Sequence, residues 1–131
     1  MTIKKRYYYN NKRVSKGEKE IITILNKFQI NFLTEYSFPD LISKKGKPLR
    51  FDFYIDDYNL LIEFQGEHHF KPVNKFQRAQ RVHIQTVEHD KLKWEYSNKN
   101  SINLICIHYK DFKNLNKILY QMFWPTNEVI L

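Results

Sequence analysis

The stretch "RFDFYIDDYNLLIEFQGEHH", residues 50–69, decides how the chain is read. Apolar residues alternate on either side of a short polar turn, the period-two pattern of a β-hairpin. Each strand nevertheless carries a carboxylate, Asp52 and Glu63, where strand propensity disfavours one. With the turn at residues 56–59, Ile55 stands opposite Leu60, Phe53 opposite Ile62 and Asp52 opposite Glu63. Directly opposed side chains in such a pair have Cβ atoms about 4.5 to 5.5 Å apart, and like charges there repel. Phe51, Phe53, Ile55, Leu60, Ile62 and Phe64 are expected on the other face as a plain core surface, and a one-residue slip would break that match. A divalent cation would offset the repulsion, because Mg²⁺ takes oxygen ligands from one or two carboxylates. The simpler alternative is a solvated sheet face on which both acids are screened. Tyr54 and Leu61 on the same face favour partial burial.

Outward from the hairpin, the pattern predicts α-β-β-β-α-β-α with no internal repeat. Ser15-Lys16-Gly17-Glu18 fits a capping box, with the serine as N-cap and the glutamate at N3. Ile21, Ile22, Leu25 and Phe28 then form one helical stripe, and Glu18 lies on its core-facing side. Residues 30–37 read as a first strand, and Phe38-Pro39-Asp40 with segment 43–48 reads as loop. Residues 49–56 and 59–65 are the hairpin strands, and a long polar segment spans 66–85. A helix is expected over 86–98. The run INLICI at 102–107 suits a strand covered on both faces. A last amphipathic helix is expected over 111–122, with Phe112, Leu115, Ile118, Leu119 and Met122 on its stripe.

The chain has 131 residues, enough for one domain over 15–131 behind a basic N-terminal arm, 1–14. Twenty-two Lys and Arg against fourteen Asp and Glu give a formal net charge of +8. A surplus of this size in a small domain points to a polyanionic partner, nucleic acid above all. No apolar run approaches the roughly 20 residues of a membrane span, and no secretory h-region follows the basic start. Only three glycines are present and none forms a phosphate-cradling loop, which argues against a nucleotide-dependent enzyme. Cys106 is the single cysteine, so an intramolecular disulfide is excluded and a reducing, cytoplasmic setting fits. His68 and His69 have no further His or Cys at zinc-ligand spacing. The EHH run also lacks the flanking Asn and His of an HNH-type site.

Asp52, ten intervening residues and then Glu63-Phe64-Gln65 resemble the active-site hairpin of the PD-(D/E)XK nuclease superfamily. More locally, "LLIEFQGEHHF", Asp90-x-x-Lys93 and "INLICIHY" look like its small phage-type and very-short-patch-repair-like members. The resemblance covers Ser15 to about Tyr109. It implies an α/β, restriction-endonuclease-like fold: an αβββαβ core with a central mixed sheet flanked by helices and an extra C-terminal helix. It further implies a metal-dependent endonuclease acting on DNA, with RNA as the other candidate polyanion, as a monomer or a homodimer. The setting would be a bacterial or phage-infected cell. Two positions depart from the family pattern: Phe51 replaces the proline before the aspartate, and Gln65 stands at the lysine position.

On that resemblance Asp52, Glu63 and the Phe64 backbone carbonyl hold Mg²⁺, with Mn²⁺ expected to substitute, and Glu18 adds an outer ligand. Gln65 positions the attacking water, and Lys93, one helical turn after Asp90, supplies the missing positive charge. His69 matches the histidine of the family's QGxxH segment and would contact a phosphate or assist proton transfer. Asp90 and Lys93 could instead form a simple intrahelical pair. Lys71, Lys75, Arg78 and Arg81, in a segment without acids and with Phe70, Phe76 and His83 interleaved, are candidate backbone contacts. Lys4, Lys5 and Arg6 of the arm are further candidates, unless the arm is a flexible tail. The rival readings are a catalytically inactive nucleic-acid-binding domain on the same fold, for which Gln65 speaks, and a protein-binding partner with a basic face.

Overall fold

A computed structural model describes residues 5–126 and groups the chain into two compact units, one from its two ends (up to Ile30 and from Lys110) and one of Asn31–Tyr109. Among the described residues no helix is long and apolar enough to cross a membrane. The protein is mixed α/β, with three α-helices and a four-stranded sheet among the described residues, preceded by a small hairpin that the sequence pattern did not anticipate.

In the first unit, β1 (Tyr7–Tyr9) pairs antiparallel with β2 (Lys12–Val14), so the segment expected as an arm is a hairpin. Asn10 and Asn11 make its turn with φ of 48° and 64°, the doubly left-handed conformation that two-residue hairpin loops require. The Lys19 ammonium donates to the Tyr8 carbonyl at 2.8 Å and ties the hairpin to α1 (Lys16–Lys27). Ser15 caps that helix as expected, its hydroxyl accepting from the Glu18 N–H at 3.1 Å. Such a cap contributes about 1 kcal/mol. Ile21, Ile22, Ile24 and Leu25 are buried. α3 (Leu115–Phe123) follows a 3₁₀ segment, Tyr109–Asn114, where a longer helix was expected. Trp124 and Phe28 meet edge-to-face at 5.2 Å.

The second unit is built on the sheet β3 (Leu33–Ile42), β4 (Pro48–Ile55), β5 (Leu60–Gln65) and β6 (Asn103–His108), in that spatial order. The first three strands run antiparallel and β6 runs parallel to β5. β3 continues through Phe38, Pro39 and Asp40, which were expected as loop. Proline is tolerated there because β3 is an edge strand, and the register shifts between Ser37 and Ile42. The β4–β5 register matches expectation, with Phe53 opposite Ile62, Tyr54 opposite Leu61 and Ile55 opposite Leu60. The 3₁₀ turn Asp56–Tyr58 closes on Asn59, left-handed at φ 48°. β5 is one of the two interior strands, and its Leu60, Leu61, Ile62 and Glu63 are all buried.

Phe51 departs from its expected face. Its ring packs with Leu41, Leu49 and Leu61 under Leu92 and Tyr96, and meets Phe38 edge-on at 5.9 Å. The pleat breaks opposite Asp52, where Glu35 takes a φ of 48° between the pairs Thr34–Phe53 and Tyr36–Phe51. β6 lies at the sheet edge, and because only Ile107 in it is fully buried it is not the strand covered on both faces that its apolar run suggests.

α2 (Gln77–Lys99) begins nine residues earlier than residue 86. Its periodicity is weak because only Ser97 is fully buried. Leu92 and Tyr96 in its second half pack on the sheet, while Val82, Ile84 and Val87 in its first half stay exposed.

Candidate active site

Sheet geometry brings the two carboxylates together. Beyond the Phe53–Ile62 pair, the Phe64 N–H donates to Asp52 Oδ2 at 2.8 Å, so a side chain supplies one rung between β4 and β5. Glu63 lies close enough to Asp52 that the two carboxyl groups act on one another directly. α2 then delivers Lys93, whose ammonium lies 2.7 Å from Glu63 Oε1 and 5.5 Å from the centre of the Phe51 ring. Both partners are almost out of water, with side chains 13% and 6% exposed. The displaced Phe51 thus forms the apolar floor under the lysine.

Asp90 and Lys93 do not form the intrahelical pair that their spacing allowed. Asp90 Oδ2 instead lies 2.8 Å from His69 Nδ1, in the short turn Glu67–His69 after Gly66. A carboxylate on one imidazole nitrogen fixes the ring and presents the other nitrogen outward. Gln65 ends β5 half-buried and shares with Glu63, Asp90, Lys93, Trp94 and Cys106 a cleft of about 270 Å³. Cys106 escaped the sequence reading. The parallel register places it beside Glu63, and nothing in the run INLICI says which strand it will join. Its thiol is pushed up to about 11, first by desolvation and then by the charges of Glu63 and Asp90, even though the residue keeps an exposed surface. It is therefore a thiol, not a thiolate, at neutral pH.

Burial pushes the Asp52 carboxyl well above the usual carboxylate range, helped by the charge of Glu63 beside it. The Phe64 N–H and Lys93 act in the opposite direction without overcoming this. The folded state therefore holds a proton on Asp52 that the unfolded chain has released, so stability falls as pH rises from about 4, the ordinary aspartate value, through the raised one. Without metal, the stability of the wild type relative to Asp52→Asn should decline over that window, measured by urea unfolding at a series of pH values. A flat difference would show that Asp52 carries no such strain.

Glu18 belongs to the first unit, on the opening turn of α1. Lys71 is exposed and pairs with Glu67 at 2.9 Å. Lys75 is exposed ahead of α2, and Arg78 and Arg81 on its first turns line a second cleft of about 480 Å³ with Lys45, Ile84 and Glu88. Lys5 and Arg6 lie at the hairpin of the first unit, whereas Lys4 and the side chain of His68 lie outside the described residues.

Among the described residues no group of three or more His, Cys, Asp or Glu side chains could hold a metal ion. A cation here would rest on two carboxylates with backbone or water oxygens, the all-oxygen, partly hydrated environment that Mg²⁺ accepts and Zn²⁺ does not favour. The closeness of Asp52 and Glu63 fits that ion, since a hard cation would offset the mutual repulsion that helps raise the Asp52 carboxyl. No family model matches the chain, and no curated protein matches it.

Proposed function

We propose that the protein is a Mg²⁺-dependent endonuclease that hydrolyses phosphodiester bonds in DNA on a restriction-endonuclease-like scaffold. The observation that carries the proposal is the contact of Asp52 with Glu63 under the ammonium of Lys93, 2.7 Å from Glu63 Oε1. Two desolvated acids side by side destabilise the fold, and a lysine from a different element aimed at them is the charge that Gln65 leaves missing. The order helix, three antiparallel strands, helix and parallel strand supports the scaffold.

Asp52 and Glu63 would hold Mg²⁺, which polarises the scissile phosphate and lowers the pKa of a bound water. Lys93 offsets the negative charge that grows on the phosphate oxygens, in a site dry enough for one ammonium to matter. Gln65 hydrogen-bonds and orients the attacking water. His69, steadied by Asp90, transfers a proton through Nε2 to the leaving oxygen or holds a phosphate oxygen. Lys75, Arg78 and Arg81 bind backbone phosphates and so position the strand without reading sequence.

Supercoiled plasmid with Mg²⁺, Mn²⁺ or EDTA is the test. Nicking or linearisation with either metal, abolished by EDTA, is the expected result, and its ratio of nicked to linear product reports cutting of one strand or both. One observation favours a second reading, a non-catalytic nucleic-acid-binding domain: Lys93, 2.7 Å from Glu63 Oε1, already supplies a positive charge to the acids without a cation. A salt-sensitive mobility shift with no cleavage in either metal would select it.

A further inference from the structure

The geometry points to a second polyanion site: a phosphate-binding cleft made by the N-terminal hairpin and the start of α1, in the unit that lacks the carboxylate pair. Only the choice of DNA as the polyanion rests on the proposed function. Lys5, Arg6, Arg13 and Lys16 converge with Tyr7 on one cleft of about 560 Å³, and no carboxylate is among its described lining residues. Two three-residue strands cannot bury a core of their own. They are nonetheless held, by the Asn10–Asn11 turn and by the Lys19 ammonium on the Tyr8 carbonyl. Cross-strand pairing of Tyr8 with Arg13 and of Tyr7 with Val14 then fixes where the cations stand.

Cations gathered this way repel one another unless something anionic lies between them. Among the described residues none does so. Lys5, Arg6 and Arg13 form no ion pair with any described residue, and Lys16 rests over the Phe112 ring at 4.6 Å. Lys44, Arg50, Lys71 and Lys91 each have an acid within reach, whereas Lys5, Arg6 and Arg13 share with Lys75, Arg78 and Arg81 the lack of an ion pair among the described residues. The hairpin is therefore a place where positive charge is collected and left open. A cleft of several hundred cubic ångströms admits a drug-sized group, hence a sugar–phosphate repeat rather than a bare ion. Tyr7 adds an aromatic surface of the kind nucleic-acid grooves use. The cleft grips backbone and reads no sequence.

The test measures binding of the full chain to a short fluorescein-labelled DNA duplex in EDTA, by anisotropy across a salt series. Lys5→Gln/Arg6→Gln/Arg13→Gln should bind at least about tenfold more weakly, and the slope of log K against log salt should shrink by about 2 to 3, near 0.9 per phosphate contact. Equal slopes and equal affinity overturn the inference. So does a triple variant that keeps its DNA affinity while losing binding to phosphatidylserine vesicles, which would make the partner a membrane surface. If thermal melting shows that the triple variant is unfolded, Arg13→Glu alone must lower the affinity by the same tenfold or the inference fails. Cleavage is not read, so an inactive nuclease leaves the result standing. Cleavage by the wild type with an unchanged slope would remove the hairpin cleft and keep the nuclease.

Discussion

Asp52→Asn protein saturated with Mg²⁺ should cleave plasmid at least about 10³-fold more slowly than the wild type, while melting no lower in metal-free buffer at neutral pH. The first half follows from the proposed role. Metal-assisted polarisation is worth several kcal/mol, and about 1.4 kcal/mol corresponds to a tenfold change in rate. The second half follows from the packing. Asparagine keeps the size of the side chain and an oxygen that can accept from the Phe64 N–H, now bonded to Asp52 Oδ2 at 2.8 Å. It also removes the charge that desolvation and Glu63 disfavour. Loss of activity with undiminished melting temperature separates a site residue from a scaffold residue. Activity within tenfold of the wild type would place any catalytic metal on other ligands.

Lys93→Ala should have two large effects that move together. Glu63, 5% exposed, would lose its only cationic neighbour within ion-pair distance among the described residues. Breaking a buried pair on one side costs about 3 to 5 kcal/mol. Cleavage should fall by about 10²- to 10³-fold, as when one preorganised donor to a developing oxyanion is deleted. Added Mg²⁺ should recover a good part of the lost stability but little of the lost rate. A cation at the carboxylates replaces the ground-state charge by linkage, yet does not supply a second positive group to the phosphate. Melting curves of wild type and variant, with and without Mg²⁺, check the first claim, and single-turnover cleavage checks the second. A variant whose stability ignores Mg²⁺ would favour the metal-free binding domain.

Much of the sheet was legible, for physical reasons. The hairpin of residues 50–69 declared its register because apolar and polar residues alternate on a period of two, and Phe53–Ile62 and Ile55–Leu60 pair accordingly. Lys93 could be nominated because Gln65 left a charge missing and the helical spacing from Asp90 put a lysine near. The partners those two residues take, His69 and Glu63, are long-range contacts that spacing cannot disclose. The face of Phe51 was misjudged because the break arises at Glu35, on another strand, from a left-handed conformation that glutamate seldom adopts. Helix α2 was started too late because its first turns pack on little and so carry no apolar period. The basic arm proved a hairpin for the opposite reason. Its signal, three tyrosines, Asn10-Asn11 and a further strand-like triplet, was present but outweighed by the run of positive charge.

Pro39 has a consequence for how copies of the chain behave near one another. It sits in β3 at one margin of the sheet, where the register also slips between Ser37 and Ile42. A strand approaching that margin from another copy meets a position with no N–H to offer and a ladder out of step. The margin is thereby a poor template for sheet growth, which guards a tyrosine- and phenylalanine-rich chain against edge-to-edge aggregation at high concentration.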